Sequence, residues 1–220
     1  MATIKVIDVI DKAEQILQDP TNVRWGQQEL LDYLNDGQRE IVLFRPDAKT
    51  NNESFTLAES SKQTLPSSAL RLIDIYKNIS PETNPITLIE RKILDDQIDD
   101  WYNQTSTFVE HYVYNPIDPK NFYVYPYPST SGNTIEIVYS ASPADITISN
   151  FSTDTDTIEL DDVYANAILD YILYRAYQKD TEYAGDLQKS ATYFNAFQNA
   201  LGIKQQVDVG STPRPATPSE

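Results

Sequence analysis

The chain has 220 residues, of which 33 are acidic and 17 basic, giving a net charge of −16. Its 40% hydrophobic and 23% charged fractions are ordinary for a globular protein. The absence of cysteine and the presence of one histidine exclude disulfides, thiolate chemistry and histidine-rich metal sites. The negative charge argues against a surface that binds nucleic acid by neutralising phosphates.

The first 50 residues carry two helical patterns. Apolar residues recur every three or four positions over residues 3–18 and again over residues 27–44. Asp19-Pro20 ends the first pattern and Arg45-Pro46 the second, because a residue that precedes proline disfavours helical geometry. The short linker between the patterns predicts an antiparallel helix pair.

Residues 51–150 are rich in Pro, Ser, Thr, Asn and Tyr, and short β-type runs replace the helical period. The predicted strands are residues 54–57, 63–65, 70–76, 108–114, 122–125 and 134–140. A weak helical pattern covers residues 88–101. This region therefore reads as a small antiparallel sheet domain.

Helical character returns near the end of the chain. Residues 162–178 and 181–201 form two amphipathic patterns, with Asp162 at the start of the first and Gly202 as the expected cap of the second. Residues 203–220 contain three prolines and no periodicity, which predicts an extended arm.

These patterns predict an α+β fold. A four-helix bundle is expected from the N-terminal and C-terminal helix pairs, residues 1–50 and 151–202. A β-rich insertion domain, residues 51–150, separates the pairs, and residues 203–220 follow as an extended C-terminal arm.

No motif indicates catalysis or a cofactor. The six glycines form no phosphate-binding loop, and the spacing of Asp154, Asp156 and Glu159 does not fit a calcium loop. His111 reads as an ordinary sheet residue. Asp95, Asp96, Asp99 and Asp100 beside Trp101 suggest either a solvated acidic helix face, which we favour, or a carbohydrate site. We expect a protein that is not an enzyme and binds no metal or cofactor.

Several residues are candidates for contacts with partners. Tyrosine is over-represented at protein interfaces, and the arm reads as a segment that orders on binding in a neighbour's groove. The candidate partner-binding residues are Tyr123, Tyr125 and Tyr127, in or just after the predicted strand 122–125, and Val207, Val209, Pro213, Arg214 and Pro215 in the arm. Arg175 lies on an apolar helix stripe, which predicts an ion pair between helices or between subunits.

Four stretches resemble the adaptor proteins of phage head-to-tail connectors, which include the tail tubular proteins of short-tailed phages. They are ELLDYLNDGQREIV at 29–42 running into RPDA at 45–48, QTLP at 63–66 followed by LRLID at 70–74, FYVYP at 122–126, and DYILYRAYQKD at 170–180. Their order matches the family, and together they span most of the chain. The arm, in contrast, has no motif that matches.

The resemblance implies a dodecameric ring that joins the portal to a tail or nozzle protein and forms part of the DNA channel. DNA would pass without sequence-specific binding, and the acidic surface would keep it from adhering. No apolar run reaches the ~20 residues of a membrane span, and Asp8 interrupts any signal-like segment, so we expect assembly in the host cytoplasm and a final place in the virion. The alternatives are another tail, neck or baseplate structural protein, or a carbohydrate-binding virion protein.

Overall fold

The structure, a computed structural model, describes residues 2–130, 132–179 and 184–211, with the backbone alone described at 184 and 203–211. The chain divides into two compact units: a helical unit that runs up to Ala48 and resumes at Pro143, and a β-rich unit, Lys49–Ser142. Its class is mixed α+β, as the periodicities predicted. Helices in the described residues are α1 (Val6–Leu17), α2 (Gln27–Phe44), α3 (Arg91–Gln97), α4 (Ala165–Lys179) and α5 (Ala184–Ser211).

In the helical unit, α4 packs against α1, α2 and α5. The predicted apolar stripes supply the core, in which Ile10, Leu34, Ile168 and Ile172 are fully buried. Each such side chain stabilises the fold by about 1.5–3 kcal/mol relative to exposure. α2 has the predicted bounds. A regular four-helix bundle built from two pairs stays a prediction.

The segment before α4 is mostly irregular, and polar side chains of α2 hold it in place. Asn35 pairs with both backbone groups of Ile146, at 2.9 and 3.0 Å, and the Gln38 Oε1 accepts the Glu159 N–H at 2.6 Å. Residues 143–150, which the sequence grouped with the insertion, therefore lie in the helical unit.

The C-terminal helix is longer than predicted. α5 continues through Gly202 to Ser211, so residues 203–211 are helical rather than an extended arm. Gly202 lacks the positive φ that a left-handed cap requires. Lys204, Gln205 and Gln206 have good helix propensity, and the first proline after Gly202 is Pro213.

The β-rich unit contains three sheets. The strands are β1 (Thr50–Thr56), β2 (Lys62–Thr64), β3 (Ala69–Ser80), β4 (Thr87–Leu88), β5 (Thr105–Ser106), β6 (His111–Tyr114), β7 (Asn121–Tyr125), β8 (Tyr127–Pro128) and β9 (Thr134–Ala141). The sheet orders are β1-β9-β3, β2-β7-β6-β4 and β5-β8. Alternation in β7 and β9 buries Phe122, Val124, Ile135 and Ile137, which share one core.

β3 is repeatedly bulged against β9. Its register shifts between Ala69 and Arg71, Leu72 and Asp74, Ile75 and Lys77, and Asn78 and Ser80. The extra residue at each shift is Leu70, Ile73, Tyr76 or Ile79. A bulge places two residues opposite one and increases the local twist. The strand therefore follows a period of three, and its Ala69, Leu72, Ile75 and Asn78 face the interior.

Candidate interaction surfaces

An aromatic cluster lies on the outer side of the sheet that contains β6 and β7. Trp101 is at its centre, 2% exposed, and its ring stacks on Tyr102 with 3.7 Å between centroids. Tyr123 and Tyr125 meet the Trp101 ring edge-on at 6.3 Å each. The indole N–H donates to Asp95 at 2.8 Å. The cluster thus fixes the short α3 segment on the sheet.

The same contacts weaken the carbohydrate alternative. Sugar stacking needs an exposed aromatic face, and Trp101 is buried, while Tyr102 is 37% exposed with one face stacked on the Trp101 ring. The Asp95 carboxylate also accepts a hydrogen bond from Arg91 at 3.1 Å, so it serves packing. Trp101 and Asp95 are thus engaged in packing, and the carbohydrate alternative stays a prediction.

A groove of about 630 Å³ lies next to the cluster. Leu88, Ile89, Val113, Tyr114, Pro116 and Tyr123 supply its apolar lining, and Glu90, Arg91, Lys92 and Asp118 carry its charges. Leu88 is 63% exposed, and Ile117 at the tip of the β6–β7 hairpin is 90% exposed. Exposed apolar surface around a concave site is typical of a binding region.

The three candidate tyrosines are close in sequence but differ in environment. Each is half-buried. Tyr123 lines the groove. Tyr125 donates a hydrogen bond to Gln104 at 3.1 Å and lies parallel to the His111 ring. Tyr127 packs against the interior of the β-rich unit. Of the three, Tyr123 has the clearest access to a ligand.

His111 has a local partner. Its Nδ1 lies 2.7 Å from the Thr87 hydroxyl, which joins β6 to β4. Within the described residues, no group of three or more His, Asp or Glu side chains is arranged to hold a metal ion.

Arg175 lies over an aromatic ring. Its guanidinium is 5.4 Å from the centre of the Tyr33 ring, and its Nη1 donates to the Tyr171 hydroxyl at 3.4 Å. Within the part of the chain that the structure describes, no carboxylate forms an ion pair with it. This cation–π geometry takes the place of the predicted ion pair inside the subunit.

Beside the Tyr33 ring that Arg175 contacts, a series of hydrogen bonds links α2 to α4. The Tyr33 hydroxyl donates to Glu29 at 2.8 Å, and Lys179 donates to the same carboxylate at 2.7 Å. Burial and the hydrogen bond to Glu29 raise the pKa of Tyr33 to about 12. Burial opposes ionisation of Glu29, but the hydrogen bonds from Lys179 and Tyr33 outweigh it and lower its pKa.

The bulges of β3 create a second apolar surface, which the sequence pattern did not predict. Leu70, Ile73, Tyr76 and Ile79 are between 39% and 49% exposed. Their spacing of three residues was visible in the sequence, yet neither the helical nor the strand period matches it. Only the repeated bulge explains why all four lie outside the core.

The arm candidates lie at the edge of the described chain. Val207 and Val209 belong to the last turns of α5, by its backbone. Pro213, Arg214 and Pro215 lie outside the described residues. None of the helices in the described residues has the length and hydropathy of a bilayer span.

Comparison with known proteins agrees with the resemblance. The family model described as SU10 adaptor protein matches residues 4–218, nearly the whole chain. No curated protein matches. The match covers both units and all four stretches that carried the resemblance. The chain therefore belongs to the SU10 adaptor protein family, and it is a structural phage adaptor that works in the virion among other virion components.

Proposed function

We propose that this protein forms an adaptor ring, with twelve copies, that joins the portal to a tail or nozzle protein and lines part of the DNA channel. The family match over residues 4–218 is the observation that carries the proposal. The chain acts by assembly rather than catalysis, and it is built in the host cytoplasm before it enters the virion.

The two units suggest a division of labour. The helical unit, with the bundle expected over residues 1–50 and 151–202, serves as the ring scaffold. The insertion, residues 51–150, carries the groove and the exposed apolar surface of β3. Both are apolar and accessible, as contact surfaces tend to be. The end of the chain reaches a neighbouring component through Val207 and Val209 in the last turns of α5 and through Pro213, Arg214 and Pro215 beyond it.

Arg175 is proposed as a contact between subunits. Its guanidinium presents five N–H donors, and one of them reaches Tyr171. A carboxylate of the next copy would complete the ion pair that the sequence suggested.

Electron microscopy of the purified chain mixed with its portal tests the proposal. A twelvefold collar on the portal is the expected result, and a persistent monomer that leaves the portal bare would contradict it. Portal alone is the control for intrinsic features of the particle. Binding to a neck or baseplate component in place of the portal would favour that second class of structural protein.

The DNA channel has its own test. The net charge of −16 favours a bore that repels DNA. We expect the assembled ring to leave linear duplex DNA unshifted in a gel at physiological salt. A ring with a basic bore that retains DNA would reject this part of the proposal.

A further inference from the structure

The groove beside the aromatic cluster has the features of a site for an extended, proline-containing peptide. Such peptides adopt the polyproline II conformation and bind between aromatic rings. Tyr114 and Tyr123 supply rings, and Pro116 and Leu88 complete the apolar lining. The volume of about 630 Å³ falls in the range of ligand sites, roughly 300–1,000 Å³.

The site also offers donors for the backbone of such a peptide. A polyproline II segment has no internal hydrogen bonds, so its carbonyls need external donors. The Tyr123 hydroxyl and the Asn115 side-chain N–H make no hydrogen bond to any residue that the structure describes. The Asn115 side-chain oxygen instead accepts the Ile117 N–H at 3.1 Å, which holds the amide at the groove.

The charges at the rim select a basic ligand. Arg91 is engaged with Asp95 at 3.1 Å. Glu90, Asp118 and Lys92 are the other charged lining residues, and all three are exposed. With two carboxylates to one ammonium, the rim favours a peptide that carries one positive charge beside its prolines.

Outside the groove's own lining, the end of the chain has these properties. Residues 212–220 read TPRPATPSE, in which Pro215 and Pro218 have the P-x-x-P spacing of polyproline II ligands, Arg214 is the basic residue and Glu220 lies at the far end. Four residues of this conformation span about 12 Å at ~3.1 Å per residue.

We propose that residues 212–220 of one copy dock in the groove of a neighbouring copy, with the prolines against Tyr114 and Tyr123 and Arg214 beside Glu90. This inference rests on the proposed ring, and it names the contact through which the arm joins adjacent subunits. The Arg214–Glu90 pair sets the direction of the segment in the groove.

A labelled peptide tests the site on the full chain. The peptide carries the sequence of residues 210–220, and the chain carries Pro213→Ala, Pro215→Ala and Pro218→Ala so that its own tail competes less. Fluorescence anisotropy should show saturable binding that Glu90→Lys weakens at least tenfold. A peptide with Arg214→Glu should bind the Glu90→Lys chain better than the unchanged groove, because the charges are exchanged.

Two further variants separate a groove effect from a general one. Leu88→Glu, at an exposed groove position, should abolish binding, whereas Leu187→Glu, at a 58% exposed site on α5, should leave the affinity unchanged. Absence of binding at millimolar peptide, or affinity that ignores both Glu90→Lys and Leu88→Glu, would overturn the proposal.

The absence of cysteine allows a direct test of which copy donates the tail. A Leu88→Cys chain is mixed with an Ala216→Cys chain and oxidised, and disulfide-linked dimers are expected in excess over a Leu187→Cys control. Linkage in a double variant but not in the mixture would place the tail in its own groove and reject the proposal. Rings on the portal without disulfide linkage would reject the tail contact while the adaptor function stands. Linkage without rings would support the tail contact and reject the adaptor ring.

Discussion

The carboxylate of Asp162 ties the N-terminal segment to the turn that precedes α4. It accepts the Thr3 N–H at 2.7 Å, the Thr3 hydroxyl at 2.6 Å and the Ile4 N–H at 3.1 Å. These bonds favour the ionised form, so the Thr3 hydroxyl first and the two amides next hold the pKa of Asp162 below its ordinary value of 3.8. One side chain therefore joins parts of the helical unit that lie far apart in sequence.

Replacing Asp162 by Asn should reduce stability in a pH-dependent way. The folded-state pKa is depressed, so the ionised carboxylate contributes fully above its ordinary pKa of 3.8 and loses this contribution as the pH falls through the folded value. Urea unfolding should show Asp162→Asn less stable than the wild type at pH 7, with a difference that shrinks toward pH 3. Asp161→Asn, at the exposed neighbouring carboxylate, is the control. A difference that stays constant between pH 7 and pH 3 would contradict this role.

At the residue scale, sequence reasoning identified the right carboxylate and assigned it the wrong partner. Asp162 was expected to cap the helix that follows, because acids are favoured at helix starts. Its partners, Thr3 and Ile4, are more than 150 residues away, and no local pattern reports such a contact. For Arg175, the stripe indicated partial burial and only packing shows the nearby Tyr33 ring, while the ion pair between subunits stays a prediction.

At the level of elements, α2 and α4 approach closely at Gly37. A Cβ added there would lie 3.0 Å from Tyr171 Cδ1, 3.3 Å from its Cγ and 3.4 Å from its Cβ. Tyr171 is buried and meets the Phe197 ring at 5.4 Å, so it has little freedom to move. Glycine at this position therefore sets the distance between the two helices.

Gly37→Ala should destabilise the protein, although alanine is the better helix former by about 1 kcal/mol. We expect a net loss of up to about 2 kcal/mol, since overpacking typically costs 1–3 kcal/mol and the better helix propensity offsets about 1 kcal/mol of it. Gly202→Ala on α5 is the matched control, because nothing lies within 4 Å of the added Cβ, and it should stabilise the helix by about 0.5–1 kcal/mol. Thermal and urea unfolding measure the change in the free energy of unfolding, which should have opposite signs in the two variants. A Gly37→Ala variant as stable as Gly202→Ala would contradict this, because it would show that the Tyr171 side chain moves to accommodate the added methyl group.

The elements were predictable where one period dominates. α2 and β7 follow the 3.6 and two-residue periods and lie close to their predicted bounds. The end of α5 was wrong because Gly202 was interpreted as a cap, although nothing forces it into a positive φ. β3 was predicted as a strand, but its bulges depend on pairing with β9, which lies 54 or more residues further along the chain. The groove was missed because its lining comes from three separate stretches.

At the scale of the whole molecule, the net charge of −16 must be accommodated when copies meet. Like charges repel over the Debye length, about 30 Å at 0.01 M salt and about 8 Å at 0.15 M. Assembly into the proposed ring would bring many such surfaces together, so screening by salt should favour it.

Self-association should therefore strengthen as sodium chloride rises from 0.01 to 0.5 M. Mass photometry or sedimentation of the free chain, or of the chain with portal, measures the shift. A variant with exposed Asp8, Asp11, Asp96 and Asp99 changed to Asn should respond less to salt. Assembly that weakens with salt would instead indicate that ion pairs across the interface dominate.

The bulged strand β3 has a further consequence for the proposed ring, in which many copies would gather around one axis. A flat edge strand presents unpaired backbone groups that can recruit strands from other chains and begin aggregation. With an extra residue at each of its register shifts, β3 twists away from the geometry of a template, and part of its outer edge pairs with Pro85 and Ile86. β1, the opposite edge of that sheet, reads TNNESFT and is mostly polar. Both edges of this sheet are thus poor templates for joining crowded copies edge to edge into fibrils.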